Sequence, residues 1–299
     1  MTGWPTVAFV GLGHMGQPMA RRLLGSGVPV RGFDVAAAAR DAWAAAGGTA
    51  FGSAADAAAG ADVVILMLPD SGVVEAVIDS GGFLDAVRPG ATVVDMSSSE
   101  PERTRTLAER LAARQIRLVD APVSGGVARA ETGELAIMVG GSDADVAPVL
   151  GLLELMGRAF RAGPVGAGHA VKALNNLMSA THLLITAEAM LAGERFGIDA
   201  EAMLAIVNAS SGRSGSTQNK WPNFVLPGTF DSGFALRLML KDMRIAAGLA
   251  ASLQSPCGLG ERAVQVWAKA AAELSPTADH TEIARWLREA ATRTTEIGT

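Results

Sequence analysis

Residues 7–16 read Val7-Ala8-Phe9-Val10-Gly11-Leu12-Gly13-His14-Met15-Gly16, and this stretch decides the fold. Its four leading apolar residues predict a short buried strand, and its three glycines predict a tight turn. Met15, Met19 and Leu23 then recur at the four-residue spacing of a helix face. A strand followed by G-x-G-x-x-G and a helix is typical of the phosphate-binding turn of a dinucleotide-binding unit.

The glycines have separate tasks in such a turn. Gly11 permits the bend, Gly13 leaves room for a pyrophosphate, and Gly16 lets the helix pack closely on the strand. The backbone N–H groups at the start of the helix then bind the phosphates. The residues assigned to cofactor binding by this loop are Gly11, Leu12, Gly13, His14, Met15 and Gly16.

An acidic residue near the end of the second strand should bind the ribose hydroxyls. Asp34 closes the predicted strand at 28–34 and takes this position. A carboxylate there repels the 2′-phosphate of NADP, and the first arginine after it, Arg40, stands some positions away. We therefore expect NAD as the cofactor, with NADP disfavoured.

Alternating strands and helices continue beyond this turn. Further apolar strands are predicted at 61–68, 91–96, 116–121 and 134–140, with helical segments between them. This alternation predicts an α/β domain with a Rossmann-type, doubly wound parallel sheet over residues 1–163. Beyond it the patterns are helical, at 170–196, 200–209, 236–252, 258–274 and 281–292. We predict an all-helical substrate and oligomerisation domain over residues 164–299.

Composition argues against several classes of function. Apolar residues make up 49% of the 299 residues, yet the longest apolar run is too short to cross a bilayer. The net charge of −5 without a basic cluster disfavours nucleic-acid binding. Cys257 is the single cysteine, so neither a disulfide nor a cysteine-based metal site is expected. No signal-peptide pattern is evident, and we expect a cytoplasmic protein without a metal.

Two further segments carry polar residues in a suggestive pattern. Ser124, Gly125 and Gly126 follow a strand, and the exposed N–H groups of such a loop can form a nest for a carboxylate. Lys172 and Asn176 are four residues apart in the most apolar predicted helix, which begins near the domain boundary. Burying such residues is costly, and clefts between domains are favoured ligand sites. Both segments are also compatible with plain structural roles, as a flexible loop and a polar domain contact.

Taken together, these motifs resemble the β-hydroxyacid dehydrogenase family, and in particular its 3-hydroxyisobutyrate dehydrogenases. The matching segments are 10–20, 120–126, 133–141, 166–176 and Lys241-Asp242. The resemblance covers nearly the whole chain and keeps the order of the motifs. It implies an NAD(P)-dependent oxidoreductase that transfers a hydride between a small 3-hydroxy acid and the nicotinamide.

The resemblance also implies roles for individual residues. Lys172 is the catalytic acid–base group, and Asn176 orients the substrate. Ser124, Gly125 and Gly126 receive the substrate carboxylate. The residues implied in cofactor binding outside the glycine loop are Leu68, Pro69, Ser98 and, from the second domain, Lys241. A lysine of lowered pKa would accept the hydroxyl proton, whereas a charged lysine would donate to the developing alkoxide.

Some alternatives remain open at this stage. Reductases of tartronate semialdehyde, succinate semialdehyde or glyoxylate use the same chemistry, and a catalytically silent nucleotide-binding module is a further possibility. After Ser210-Ser211-Gly212-Arg213 this chain continues with Ser214-Gly215, whereas close 3-hydroxyisobutyrate dehydrogenases carry an aromatic residue after the same motif, which leaves the exact substrate open. His169 and His182 are expected to have packing or supporting roles. The family resemblance implies a homodimer or homotetramer.

Overall fold

The computed structural model describes the backbone of residues 3–297 and the side chains of residues 3–290. The chain divides into two compact units, Met1–Lys172 and Ala173–Thr299. The division falls inside a long helix, whereas the sequence predicts a boundary at residues 163 and 164, ahead of that helix. Each unit is described by itself below.

The first unit is built on a nine-stranded sheet in the order β3-β2-β1-β4-β5-β6-β8-β7, with β9 also paired to β8. The strands are β1 (Val7–Val10), β2 (Val30–Phe33), β3 (Thr49–Ala50), β4 (Val63–Leu66), β5 (Thr92–Asp95), β6 (Arg117–Asp120), β7 (Val123–Ser124), β8 (Leu135–Gly140) and β9 (Gly157–Gly163). The first six pair in parallel, as predicted.

Helices connect these strands. In the first unit they are α1 (Gly16–Gly25), α2 (Ala37–Ala45), α3 (Ala54–Ala58), α4 (Ser71–Ile78), α5 (Phe83–Ala86), α6 (Pro101–Ala112), α7 (Gly126–Thr132) and α8 (Asp143–Glu154). Several begin on residues that favour a helix start: Asp70 caps α4 by accepting from Val73 N, Ser142 caps α8 by accepting from Asp145 N, and Pro101 opens α6.

Alternate residues of the central strands enter two separate cores. Val7 and Phe9 of β1 pack into the core on one face of the sheet, and Ala8 and Val10 pack into the core on the other. Burial on both faces explains why the central strands are continuously apolar. The Rossmann-type α/β fold is therefore confirmed.

The far edge of the sheet departs from the prediction of a parallel sheet. β8 pairs antiparallel with β6 and with β7, and β9 lies parallel beside β8. β9 was not predicted, because Arg158, Arg161 and other exposed residues break the apolar pattern on which strand prediction depends. A charged, half-exposed strand of this kind is typical of a sheet edge.

The second unit is helical, as predicted. Its elements are most of α9 (Ala167–Phe196), then α10 (Ala200–Asn208), a π-helix (Ser216–Val225), α11 (Leu236–Ser252), α12 (Gly258–Glu273), a 3-10 turn (His280–Glu282) and α13 (Ile283–Ile297). The fully buried Trp267 and Met243 lie in its core with Trp221 of the π-helix. Among the described residues, no helix is long and apolar enough to span a membrane.

Candidate active site

The glycine loop at the carboxyl end of β1 has the shape that a dinucleotide requires. Gly11 N donates to Phe33 O at 2.9 Å, which ties the turn to β2. A Cβ on Gly16 would lie 1.8 Å from Gly11 O, so only glycine allows this close approach of helix to strand. A Cβ on Gly13 would meet nothing within 4 Å, and this open backbone is where a pyrophosphate would fit. Leu12 is buried, whereas His14 is exposed and Met15 is partly buried.

Asp34 lies beside this loop, as the sequence predicts. Its carboxylate accepts from Leu12 N and from Ala36 N, both at 2.8 Å. Arg40 is closer than its sequence position indicates, because its guanidinium donates to Asp34 O at 2.7 Å. The first turn of α2 thus brings the Arg40 guanidinium back to the end of β2, although Arg40 follows Asp34 by several positions in the sequence.

The ends of β4 and β5 are joined by a hydrogen bond. Leu68 N donates to the buried Ser97 Oγ at 3.0 Å. Pro69, which follows Leu68, is exposed, and Ser98, which follows Ser97, is partly buried. Ligands of open α/β sheets bind outside the carboxyl ends of the strands, which is where these residues lie.

The predicted carboxylate nest follows β7. Ser124 ends β7 and is partly buried, and the exposed Gly125 and Gly126 have φ angles of 137° and 71°. A Cβ on Gly126 would meet nothing within 4 Å. The loop therefore offers a hydroxyl and open backbone, the features expected of a carboxylate-binding nest.

Asp120, at the end of β6, holds the start of α9. Its carboxylate accepts from Gly166 N at 2.7 Å and from His169 N at 2.9 Å. These are backbone groups at a helix N-terminus, where an anion is favoured. A Cβ on Gly140 or Gly168 would lie within 3 Å of an Asp120 carboxylate oxygen, so both positions need glycine.

The His169 side chain extends this buried network. Its Nδ1 lies 2.8 Å from Thr104 Oγ1, and its Nε2 lies 3.7 Å from Asp95 Oδ2. Asp95 in turn accepts from Ser97 N and from Ser99 Oγ. Sequence reasoning assigned His169 a supporting role and missed Asp95 and Asp120, because their partners are distant in the chain. The acidic residues that end consecutive strands were the available signal.

Lys172 follows one turn after His169 on α9. Its side chain is only 8% exposed, and it lies at the end of the first unit. Because Asp120 and Thr104 hold the turn before it, the backbone that carries this lysine is anchored to the carboxyl edge of the sheet. A buried lysine on an anchored helix is suited to act as an acid–base group.

Asn176, one further turn along α9, belongs to a second network. Its Nδ2 donates to Asp242 Oδ2 at 2.6 Å, and its Oδ1 accepts from Asn175 Nδ2 at 3.2 Å. Asp242 on α11 is 1% exposed and forms an ion pair with Lys241 at 3.2 Å. The assigned roles of Asn176 and Lys241 remain predictions. By contrast His182 is exposed, so the expected packing role is wrong for this histidine.

Two family models together match most of the chain. Residues 6–166 match the NAD-binding domain of 6-phosphogluconate dehydrogenase. Residues 166–287 match a domain described as the NAD-binding domain of NADP-dependent 3-hydroxyisobutyrate dehydrogenase. The two matches meet at the residue just before α9.

Individual relatives agree with these models. The chain is 39% identical to the 2-(hydroxymethyl)glutarate dehydrogenase of Eubacterium barkeri, covering 87% of each chain. It is also 39% identical to the NAD-dependent L-serine dehydrogenase of Pseudomonas aeruginosa, covering 87% of this chain and 90% of the relative. A structure of Mycobacterium tuberculosis 3-hydroxyisobutyrate dehydrogenase with L-serine superposes with a TM-score of 0.90 at 34% identity, over 95% and 99% of the two chains.

The fold, the glycine loop and these matches define an NAD(P)-dependent oxidoreductase. More narrowly, the chain belongs to the β-hydroxyacid dehydrogenase family. The resemblance stated from the sequence motifs is thereby confirmed.

Proposed function

We propose that this protein oxidises a small 3-hydroxy acid to the corresponding semialdehyde or oxo acid, with Lys172 as the acid–base residue. The observation that carries the proposal is the placement of Lys172: it is buried, on a helix whose first turn is fixed by Asp120. When bound, NAD accepts the hydride from the carbinol carbon. The protein binds and orients the substrate and handles the proton.

Each predicted residue has a task in this reaction. Ser124, Gly125 and Gly126 bind the substrate carboxylate through the hydroxyl and the loop N–H groups. Lys172 Nζ takes the proton that leaves the substrate hydroxyl, or holds it in a hydrogen bond while the carbonyl forms. Asn176 orients the substrate, and its contact with Asp242 at 2.6 Å fixes the amide for that purpose.

The names of the relatives indicate the range of substrates to consider. They include 3-hydroxyisobutyrate, L-serine and 2-(hydroxymethyl)glutarate, which share a hydroxymethyl group on the carbon that bears a carboxylate. We propose substrates of this class for the present chain. A semialdehyde reductase would run the same half-reactions in the opposite direction with the same residues.

NAD is the proposed cofactor, and the glycine loop, Asp34, Leu68, Pro69, Ser98 and Lys241 are proposed to bind it. Asp34 favours NAD because its carboxylate is held at the end of β2 by two backbone N–H groups. Arg40 moderates this preference, since a guanidinium 2.7 Å from Asp34 O stands close to the position of a 2′-phosphate. We therefore expect measurable activity with NADP, below that with NAD.

A substrate panel tests the proposal directly. NADH or NADPH formation is followed with each of the three hydroxy acids, for the wild type, Lys172→Ala and the control Lys269→Ala, an exposed lysine on α12. Lys172→Ala should lower kcat by at least about a hundredfold, the low end for an acid–base group. Retention of more than about a tenth of the wild-type kcat would contradict the role of Lys172. Cofactor binding without turnover on any substrate would favour a catalytically silent module.

We also propose a homodimer or homotetramer. Exposed apolar residues recur along one side of α9, at Leu174, Met178 and Ile185, with Met178 60% exposed. A stripe of this kind is suited to pack against a second copy. The double variant Met178→Asp, Ile185→Asp should lower the mass measured by light scattering to that of a monomer. A wild-type monomer at micromolar concentration would contradict the proposal.

A further inference from the structure

A chain of buried polar contacts leads from the ends of β4 and β5 to the helix turn that precedes Lys172, and all its members belong to the first unit. At one end, Leu68 N donates to Ser97 Oγ, and Ser97 N donates to Asp95 Oδ1. At the other end, His169 stands three residues before Lys172 on α9. The two ends meet where Asp95 Oδ2 and His169 Nε2 lie 3.7 Å apart.

His169 is held at two points that belong to different elements. Its backbone N donates to Asp120 Oδ2 at 2.9 Å, and its ring Nδ1 lies 2.8 Å from Thr104 Oγ1 on α6. A contact to the backbone and a contact to the ring together fix the rotation of this turn about the helix axis. Residues three positions apart are neighbours on a helix surface, so the direction in which the Lys172 stem leaves α9 follows from the same two contacts.

The Thr104 hydroxyl bears on which ring nitrogen of His169 carries the hydrogen. The hydroxyl has one hydrogen to donate, and its oxygen lies 2.8 Å from His169 Nδ1 and 3.1 Å from Glu100 O. Donation to Nδ1 leaves the hydrogen of a neutral ring on Nε2, where it faces the Asp95 carboxylate. The other neutral form would place two acceptors, Nε2 and Asp95 Oδ2, against each other. The shorter contact and the carboxylate therefore favour the same form of the ring.

The contact between His169 and Asp95 is open by less than 1 Å. Nε2 is buried without a hydrogen-bond partner among the described residues, and hydrogen bonds end near about 3.2 Å. An unsatisfied buried donor favours a movement that closes the gap. Asp95 also accepts from Ser97 N and Ser99 Oγ, so a movement of Asp95 is shared with the turn that carries Ser98, a residue proposed to bind the cofactor.

From these contacts we infer that His169 is a positioning residue that couples cofactor binding to the orientation of Lys172. The inference rests on the proposed function and adds a residue to the same site. When NAD is bound outside β4 and β5, the turn after β5 is ordered and Asp95 closes on His169 Nε2. His169 then fixes the turn of α9 that carries Lys172, so that the lysine is aligned for proton transfer while the cofactor is in place.

Steady-state kinetics of His169 variants test the positioning role. His169→Leu removes both ring nitrogens and should lower kcat by about ten- to a hundredfold, because a misplacement of about 1 Å can cost a hundredfold. KM for the hydroxy acid should change by less than about threefold, since the nest at Ser124–Gly126 is unaltered. His169→Gln keeps a donor able to reach Asp95 and should recover part of kcat. His182→Leu, the same substitution at an exposed histidine of α9, is the matched control and should keep the wild-type kcat.

The same substitution in a second background separates positioning from damage to the fold. In Lys172→Ala, His169→Leu should lower the residual kcat by less than about twofold, because a residue that acts through the lysine has nothing left to position. A loss of folded protein would instead lower kcat by the same factor in both backgrounds. Equal factors would overturn the inference.

Amide hydrogen exchange keeps the inference separate from the proposed function. Saturating NAD should slow exchange in segment 166–172 of the wild type by about fivefold or more, the lower end for coupling between two sites. His169→Leu retains the glycine loop, so it should still bind NAD but lose this protection. If no hydroxy acid is turned over but this difference is found, the proposed function fails and the coupling stands. No protection in the wild type, or equal protection in both proteins, would overturn the inference even if turnover is observed.

Thr104→Val is a milder variant that serves if His169→Leu does not fold. It replaces one hydroxyl by a methyl group of similar size and leaves the histidine in place, but the ring loses the contact that orients it. It should lower both kcat and the protection of segment 166–172 by NAD. Wild-type values of both in Thr104→Val would overturn the inference.

Discussion

The two units bury similar polar groups in different ways. In the first unit, Asp120 and Asp95 lie with His169 around the start of α9, and each aspartate accepts hydrogen bonds from backbone or hydroxyl groups. In the second unit, the Asp279 oxygens also accept several hydrogen bonds, but the nearby, partly buried Lys220 donates to a single serine hydroxyl, that of Ser179.

This difference separates a network that stabilises the fold from one that carries an energetic cost. A buried carboxylate that accepts several N–H groups stabilises the chain around it, because those groups would otherwise be unsatisfied. A buried ammonium group without a carboxylate partner does the opposite and reduces stability. The first network should therefore contribute stability and hold Lys172 in place, while the second should carry a cost at its lysine.

The largest expected effect is on the first network. Asp120→Ala would leave the N–H groups of Gly166 and His169 buried without acceptors, at a cost of about 1–3 kcal/mol each. We expect the free energy of unfolding in urea to fall by about 3–5 kcal/mol. Turnover should fall as well, because the turn that carries Lys172 loses its anchor.

Two further variants separate loss of the acceptors from loss of an aspartate in general. Asp120→Asn keeps one acceptor oxygen and should recover part of the stability. Asp85→Ala removes an exposed aspartate paired with Arg114 and should change stability by less than about 0.5 kcal/mol. Equal losses for Asp120→Ala and Asp85→Ala would show that Asp120 is not an anchor.

The second network should produce a pH dependence of intermediate size. Burial is the main cause that lowers the pKa of His280 from 6.5 to about 4, with a contribution from the Lys220 charge. Above pH 6.5 the histidine is neutral in both the folded and unfolded states. As the pH falls from 6.5 towards 4, only the unfolded state takes up the proton, so the free energy of unfolding decreases.

We expect this group to remove about 1–3 kcal/mol of stability between pH 7 and pH 4.5. Urea denaturation of the wild type and His280→Gln at both pH values measures it, because the variant lacks the titrating group. The wild type should lose more stability than the variant over this interval. The same loss in both proteins would mean that His280 titrates normally in the folded state.

The features that the sequence predicted are those formed by residues close together in the chain. The strand–turn–helix pattern at residues 7–16 predicted the glycine loop, and the paired strands β1 and β2 confirm the two expected strands. Asp34 was predicted from its separation along the sequence from Gly16, the last glycine of the loop motif. Such features depend on the local periodicity and turn residues of the chain, so the sequence pattern is enough to predict them.

Long-range and irregular features were not predictable in this way. Asp120 holds residues 46 and 49 positions further along the chain, and nothing in the local pattern around Asp120 indicates that contact. The π-helix has i→i+5 hydrogen bonds and contains Pro222, so its residues follow neither the period of an α-helix nor that of a strand. Lys220 was therefore placed in no element by the sequence.

The smallest expected effect has the opposite sign to the others. The pKa of Lys220 is lowered to about 8 in the folded protein, mainly by burial, from 10.5 in the unfolded chain. Between pH 8 and 10.5 the unfolded state binds more protons, so the stability of the wild type rises across this interval; below pH 8 the full cost of the buried charge is present. Lys220→Met should therefore be more stable than the wild type at pH 7.

We expect a gain of about 1–2 kcal/mol for Lys220→Met in urea denaturation at pH 7, shrinking as the pH rises from 8 towards 10.5. The control Lys269→Met replaces an exposed lysine and should change stability by less than about 0.5 kcal/mol at either pH. If Lys220→Met is instead less stable than the wild type at pH 7, the lysine is a structural member of its cluster, and the contrast between the two networks disappears.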